Sequence, residues 1–170
     1  DATGPGGLTF AANGRVAGDG SDLDLAVTGA APLELANQFI TPRSIEGTTT
    51  FDLTVDGPPA LGSVSGRIAL ADARFVDPAF FLVLERIGGA ITLAGSRASV
   101  DISAGTQGGG AVSVTGPISL APPFSTDLRV GLNGARLSDP QLFETTVHGT
   151  IAITGPLTGG AAISGDVALG

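Results

Sequence analysis

Apolar side chains return at every second position in run after run of this chain. Leu23, Leu25 and Val27 fall on one side of an extended backbone, with Asp22, Asp24 and Thr28 on the other. Phe51, Leu53 and Val55 repeat the split against Thr50, Asp52, Thr54 and Asp56, and Ile68 with Leu70 and Ile91 with Leu93 carry it on. It returns as Val100 and Ile102 against Ser99, Asp101 and Ser103, then as Val112 and Val114 against Ser113 and Thr115. Leu128, Val130 and Leu132 oppose Asp127 and Arg129, Ile151 and Ile153 oppose Thr150 and Thr154, and Ile163 and Val167 oppose Ser164 and Asp166. A period of two is the signature of a strand with one dry face and one wet face.

Turn dipeptides punctuate these runs: Asn13-Gly14, Gly57-Pro58, Gly116-Pro117, Asn133-Gly134 and Gly155-Pro156. Strands of roughly 8–12 residues spacing, about a dozen in all, are predicted to pair antiparallel through short connections. The irregular spacing of the Gly-Pro pairs argues for a meander of hairpins and against a fixed-period solenoid. Only "APLELANQFI" (Ala31–Ile40) has helical spacing, through Leu33, Ala36, Phe39 and Ile40. "VDPAFFLVLERIGG" breaks the alternation and is predicted to be a short strand with flanking loops. The whole chain, residues 1–170, reads as a single β-rich domain and as an excerpt of a longer repetitive protein.

The question such a pattern poses is what covers the dry face. No amphipathic helix is available, yet each inward aliphatic side chain is worth ~1.5–3 kcal/mol on burial. A few of them left in water would cancel the ~5–15 kcal/mol by which a domain is stable. The sheet must therefore fold on itself, pair with a second sheet as in a sandwich or barrel, or hold an apolar ligand. The apolar residues are mostly Ala, Val, Leu and Ile; 8 Phe are the only aromatics. Such small side chains leave room along the face.

Composition and spacing argue against most chemistry. Sixteen acidic residues face eight Arg and no Lys, so no cationic cluster for phosphates is visible and no nucleic-acid partner is expected. Absence of Cys removes disulfides, thiolate metal sites and thiol nucleophiles. The longest run of large apolar residues, Phe80 to Leu84, is far short of the ~18 needed for a spanning helix. His148, the single histidine, lies on the polar side of its run with no nucleophile or second ligand at working spacing. Asp19, Asp22 and Asp24 cluster at a glycine-rich turn but lack the closing Glu of a calcium loop. "GTQGGG" (Gly105–Gly110) is followed by a strand pattern and not by a helix, which suits a hairpin and not a phosphate cradle. No catalytic residue, metal or cofactor is expected, and the chain reads as non-enzymatic.

Longer phrases are more specific. "LERIGGAITLAGSRASVDISAGTQGGGAVSVTGPISL" (Leu84–Leu120) resembles a recurring passage of TamB-type proteins in the AsmA-like superfamily. "SVSGRIALADARF", "HGTIAITGPLTGGAAISGDVALG" and "PLELANQFITP" are similar to that family's repeated phrasing. The resemblance implies an all-β protein whose antiparallel strands curl into an open, taco-like trough with an apolar interior and little helix. It implies a periplasmic location in a diderm bacterium, with an inner-membrane anchor in the full-length protein. It further implies transport of phospholipid between the membranes, or assembly of outer-membrane β-barrels. The implied partners are phospholipid, possible unfolded outer-membrane polypeptide as cargo, and the outer-membrane Omp85-type protein TamA, met through a part outside this stretch. The alternating apolar residues named above would then line the trough. A dozen strands at ~4.8 Å spacing extend ~60 Å, and one leaflet's hydrocarbon is ~15 Å deep, so an acyl chain fits.

Overall fold

The computed structural model describes residues 2–3, 7–139 and 143–170. Eleven strands form one sheet in strict chain order. They are β1 (Ala2–Thr3), β2 (Thr9–Val16), β3 (Leu23–Pro32), β4 (Ser44–Gly57), β5 (Val64–Asp77), β6 (Leu82–Ala94), β7 (Arg97–Thr106), β8 (Ala111–Ser119), β9 (Ser125–Asp139), β10 (Phe143–Pro156) and β11 (Ala162–Leu169). Every neighbouring pair is antiparallel. The order runs from β1 to β11 without closing, so the sheet is a curled, open trough. A closed sandwich would need a second sheet, and the described strands supply a single one.

Register carries the alternation across the sheet. Val27, Leu53, Gly66, Leu93, Ala98 and Ile118 stand opposite one another in sequence, forming one row of the apolar face. Phe51, Ile68, Ile91, Val100 and Gly116 form the next. Leu70, Gly89, Ile102, Val114, Val130, Ile151 and Gly165 form a third. A slip of one residue in any pair would turn a whole strand inside out, so these rows fix the register.

Glycine bends the wall. Gly66, Gly89, Gly116 and Gly149 lie inside strands at φ +125°, +129°, +132° and +150°, a region that side chains avoid. A Cβ on any of the four would sit 2.1 Å from a carbonyl oxygen of the adjacent strand, on Asp52, Asp101, Asp127 and Asp166 in turn. Glycines placed on the inner face let strands approach and coil, which is how a sheet of this width acquires curvature. Bulges add to the bend: the pairing shifts between Glu46 and Thr48, between Leu70 and Phe75, and between Glu85 and Gly88. Asp72 and Arg86 take positive φ at two of them, +53° and +52°.

Several sequence expectations need correction. Asn13-Gly14, Gly116-Pro117 and Asn133-Gly134 are not turns; they lie within β2, β8 and β9. Gly155-Pro156 ends β10, and the turn follows at Leu157–Ala161. Strands are accordingly longer than expected, with β4, β5 and β10 at 14 residues and β9 at 15. The tight turn between β6 and β7 is instead Gly95-Ser96, with φ +55° and +60°, the two positive values that a right-twisted hairpin requires. Val76–Gly89 is the end of β5, a four-residue turn and the bulged first half of the 13-residue β6. Ala31–Ile40 does hold the helical turns, Leu33–Ala36 as 3-10 and α1 (Asn37–Ile40) as a single α turn. "GTQGGG" is the β7–β8 hairpin, where the Gly109 N–H bonds to the Thr106 carbonyl and the Thr106 N–H to Gly110.

Candidate functional site: an apolar trough with one covered end

The predicted lining residues are brought together on one continuous face. By direct pairing Leu23 stands opposite Gly57, Leu25 opposite Val55, Val112 opposite Leu132, Leu128 opposite Ile153, and Ile153 opposite Ile163. Val167 faces Gly149, which in turn faces Leu132. All 21 residues named from alternation therefore share a side with the three rows above. Their exposure is graded. Leu93 and Val100 are buried, Ile163 and Val167 are exposed, and the others are half-buried. Among the described residues, no large side chain is fully buried. A half-buried aliphatic face remains within reach of water or a ligand, whereas interior side chains of a packed core lose nearly all contact with water.

Midway along the strand order, toward one end of the strands, the face is dry. Ala73, Ile87 and Ala104 form a buried cluster, with Phe75, Leu84, Ile102 and Leu33 packed against it. Leu33 belongs to the helical segment between β3 and β4, so that segment lies over the apolar face at β5 to β7. Three side chains tether it. Asn37 Oδ1 accepts the Ile45 N–H at 2.7 Å and Glu34 Oε1 accepts the Gly47 N–H at 3.2 Å. Arg43 Nε donates to Asp77 Oδ2 at 2.6 Å. Asp77 is nearly buried, and its Oδ1 accepts the Ala79 N–H. The Arg43 hydrogen bond is the main cause that holds this carboxyl below its ordinary range, desolvation opposing it.

Sequence reading identified the helical spacing but did not place Leu33 on the trough, nor did it name Ala73, Ile87 or Ala104. The available signal was the bulge chemistry: Gly47 at φ +124° stands so near Ala73 that a Cβ would lie 2.9 Å from its Cα. Residues outside the trough have local duties. Asp19 Oδ1 accepts the Ser21 N–H and hydroxyl within its turn, which lowers its pKa through those same bonds. His148 is exposed, as expected for the polar face, and its Nδ1 accepts the Gly134 N–H at 3.1 Å across the β9–β10 bulge. No described helix is long and apolar enough to cross a membrane.

Residues 99–170, from β7 to the end of β11, match the family model of the TamB C-terminal domain. Over this stretch the chain is similar to TamB-type proteins. No curated protein and no solved structure matches it. The matched stretch contains the apolar face from Val100 to Val167, together with the glycine kinks at Gly116 and Gly149. That likeness suggests involvement in translocation, assembly or lipid transport.

Proposed function

We propose that this TamB-type sheet is a segment of a longer, non-enzymatic periplasmic bridge that holds phospholipid acyl chains in its apolar trough between the inner and outer membranes. The observation that carries the reading is the half-burial of an uninterrupted aliphatic face on an unclosed sheet. Eleven strands at ~4.8 Å make a wall about 50 Å long. The aliphatic rows would take the hydrocarbon, and headgroups would sit toward the open side in water. The residues that form the three aliphatic rows carry no polar side chain, which favours sliding over tight binding. The inner-membrane anchor and the contact with the Omp85-type partner TamA belong, in this reading, to other parts of the protein.

A second reading keeps the trough and changes the cargo. An aliphatic face on an unclosed sheet is also able to hold an extended, unfolded outer-membrane strand. Photoreactive residues at Leu53, Val114 and Ile153, with Thr54, Thr115 and Thr154 as outward controls, separate the two in cells. Phospholipid adducts confined to the first three positions are the expected result. Polypeptide adducts would transfer the function to barrel assembly. Crosslinks to the protein's own strands alone would make the face a packed core and end both readings.

A further inference from the structure

The covered end of the trough is held by remarkably little. Leu33 alone of the segment's side chains reaches the buried Ala73–Ile87–Ala104 cluster. Neither helical turn has a buried residue. Phe39 is 81% exposed and Leu35 40%, and Ile40 is half-buried. A single α turn is far below the ~12–15 residues at which a helix holds itself, and its stability comes wholly from its seat. That seat is one aliphatic side chain, two side-chain bonds to the β4 backbone and one ion pair. Segments with so few buried contacts open at a small fraction of the global unfolding free energy.

Beneath the segment, the apolar face continues without a break. Ile102 of the third row borders both Leu33's cluster and the half-buried Val114. Ala104 pairs with Val112, which pairs with Leu132. The surface hidden under Leu33 is thus the same lining as the uncovered part, with smaller side chains where the cover sits.

We propose that Leu33–Arg43 is a displaceable cover: Leu33 occupies the place of an acyl chain over β5 to β7, and release of the segment joins this dry patch to the open trough. The cargo named here rests on the lipid reading above, but the cover itself does not. The chain has no Cys, so single cysteines report accessibility cleanly. An alkyl maleimide should label Val130→Cys rapidly and Ala104→Cys slowly in the otherwise unaltered chain. Asn37→Ala combined with Arg43→Ala removes two of the three tethers while leaving every apolar contact in place. Labelling of Ala104→Cys should then rise about tenfold, with Val130→Cys unchanged. Equal rates at the two sites before release would show that Leu33 is not seated. A slow Ala104→Cys after release would assign its burial to the sheet itself, and acceleration at both sites alike would mean general loosening; each overturns the cover. Because maleimide needs no lipid in the trough, a protein that never yields lipid adducts would lose the transport reading and keep this one.

Discussion

Two stretches of the same face behave differently. Across β5 to β7, Ala73, Ile87 and Ala104 are buried, at 0%, 7% and 8% exposure. Across β10 and β11, Ile151 and Ile153 are half-buried and Ile163 and Val167 lie open. The strands in both places alternate in the same way and pair in the same antiparallel manner. On the first stretch Leu33 lies on top, while Leu93, Val100 and Val147 are buried on the same face outside that cluster. Alternation therefore specifies which side of a strand is apolar, and contacts beyond the strand's own sequence decide how far that side is buried.

The sharpest way to break this contrast is to place a charge at each end. Ile87→Arg buries a cation with no partner and should cost about 3 kcal/mol or more, read as a fall in the urea midpoint. Ile163→Arg should stay within about 0.5 kcal/mol of the parent. Equal losses at both sites would show a packed face throughout. Val114→Arg and Ile153→Arg, between these extremes, should leave a folded protein that no longer passes cargo, while Thr115→Arg and Thr154→Arg pass it normally.

The bend offers a second, smaller contrast. Gly116→Ala drives a methyl into the Asp127 carbonyl at a positive φ and should cost about 1–3 kcal/mol. Gly18→Ala meets nothing within 4 Å and should be nearly neutral. Thermal unfolding of the two variants side by side tests whether the kink, and not glycine content, shapes the wall.

Acid should loosen the cover before the rest of the sheet. Asp77 has a lowered pKa in the folded state, chiefly from the Arg43 bond. Its stabilising contribution is thus complete above the ordinary carboxylate range near ~4, and it is lost as pH falls through the lowered folded value. Amide exchange in Leu33–Ile45 should accelerate below pH ~4 ahead of β9 and β10, and Asp77→Asn should remove that pH dependence. A small loss is expected at His148→Ala, which removes one exposed acceptor for Gly134 N–H and should cost about 0.5–1 kcal/mol.

Much of this was legible before the fold was known. The dry faces of Leu23 to Val27, Phe51 to Val55 and Ile151 to Ile153 follow from alternation, because side-chain direction in a strand is set by the backbone alone. Strand ends were less legible. Gly116-Pro117 carries turn chemistry by composition, yet in β8 its glycine serves a kink that depends on how close the Asp127 carbonyl of β9 comes. That proximity is a property of two strands, and no local pattern encodes it. Leu33 escaped for a similar reason: helical spacing marks a turn of helix, but not the surface on which it rests.

The unbroken order from β1 to β11 has a consequence for how the wall is made. Each strand needs only the one before it, so pairing advances hairpin by hairpin as the chain is delivered, with short loops to close at every step. No strand waits for a distant partner. For the same reason a hairpin added or removed along the sequence leaves the other pairings intact, and the length of the trough is open to change without redesign of its cross-section.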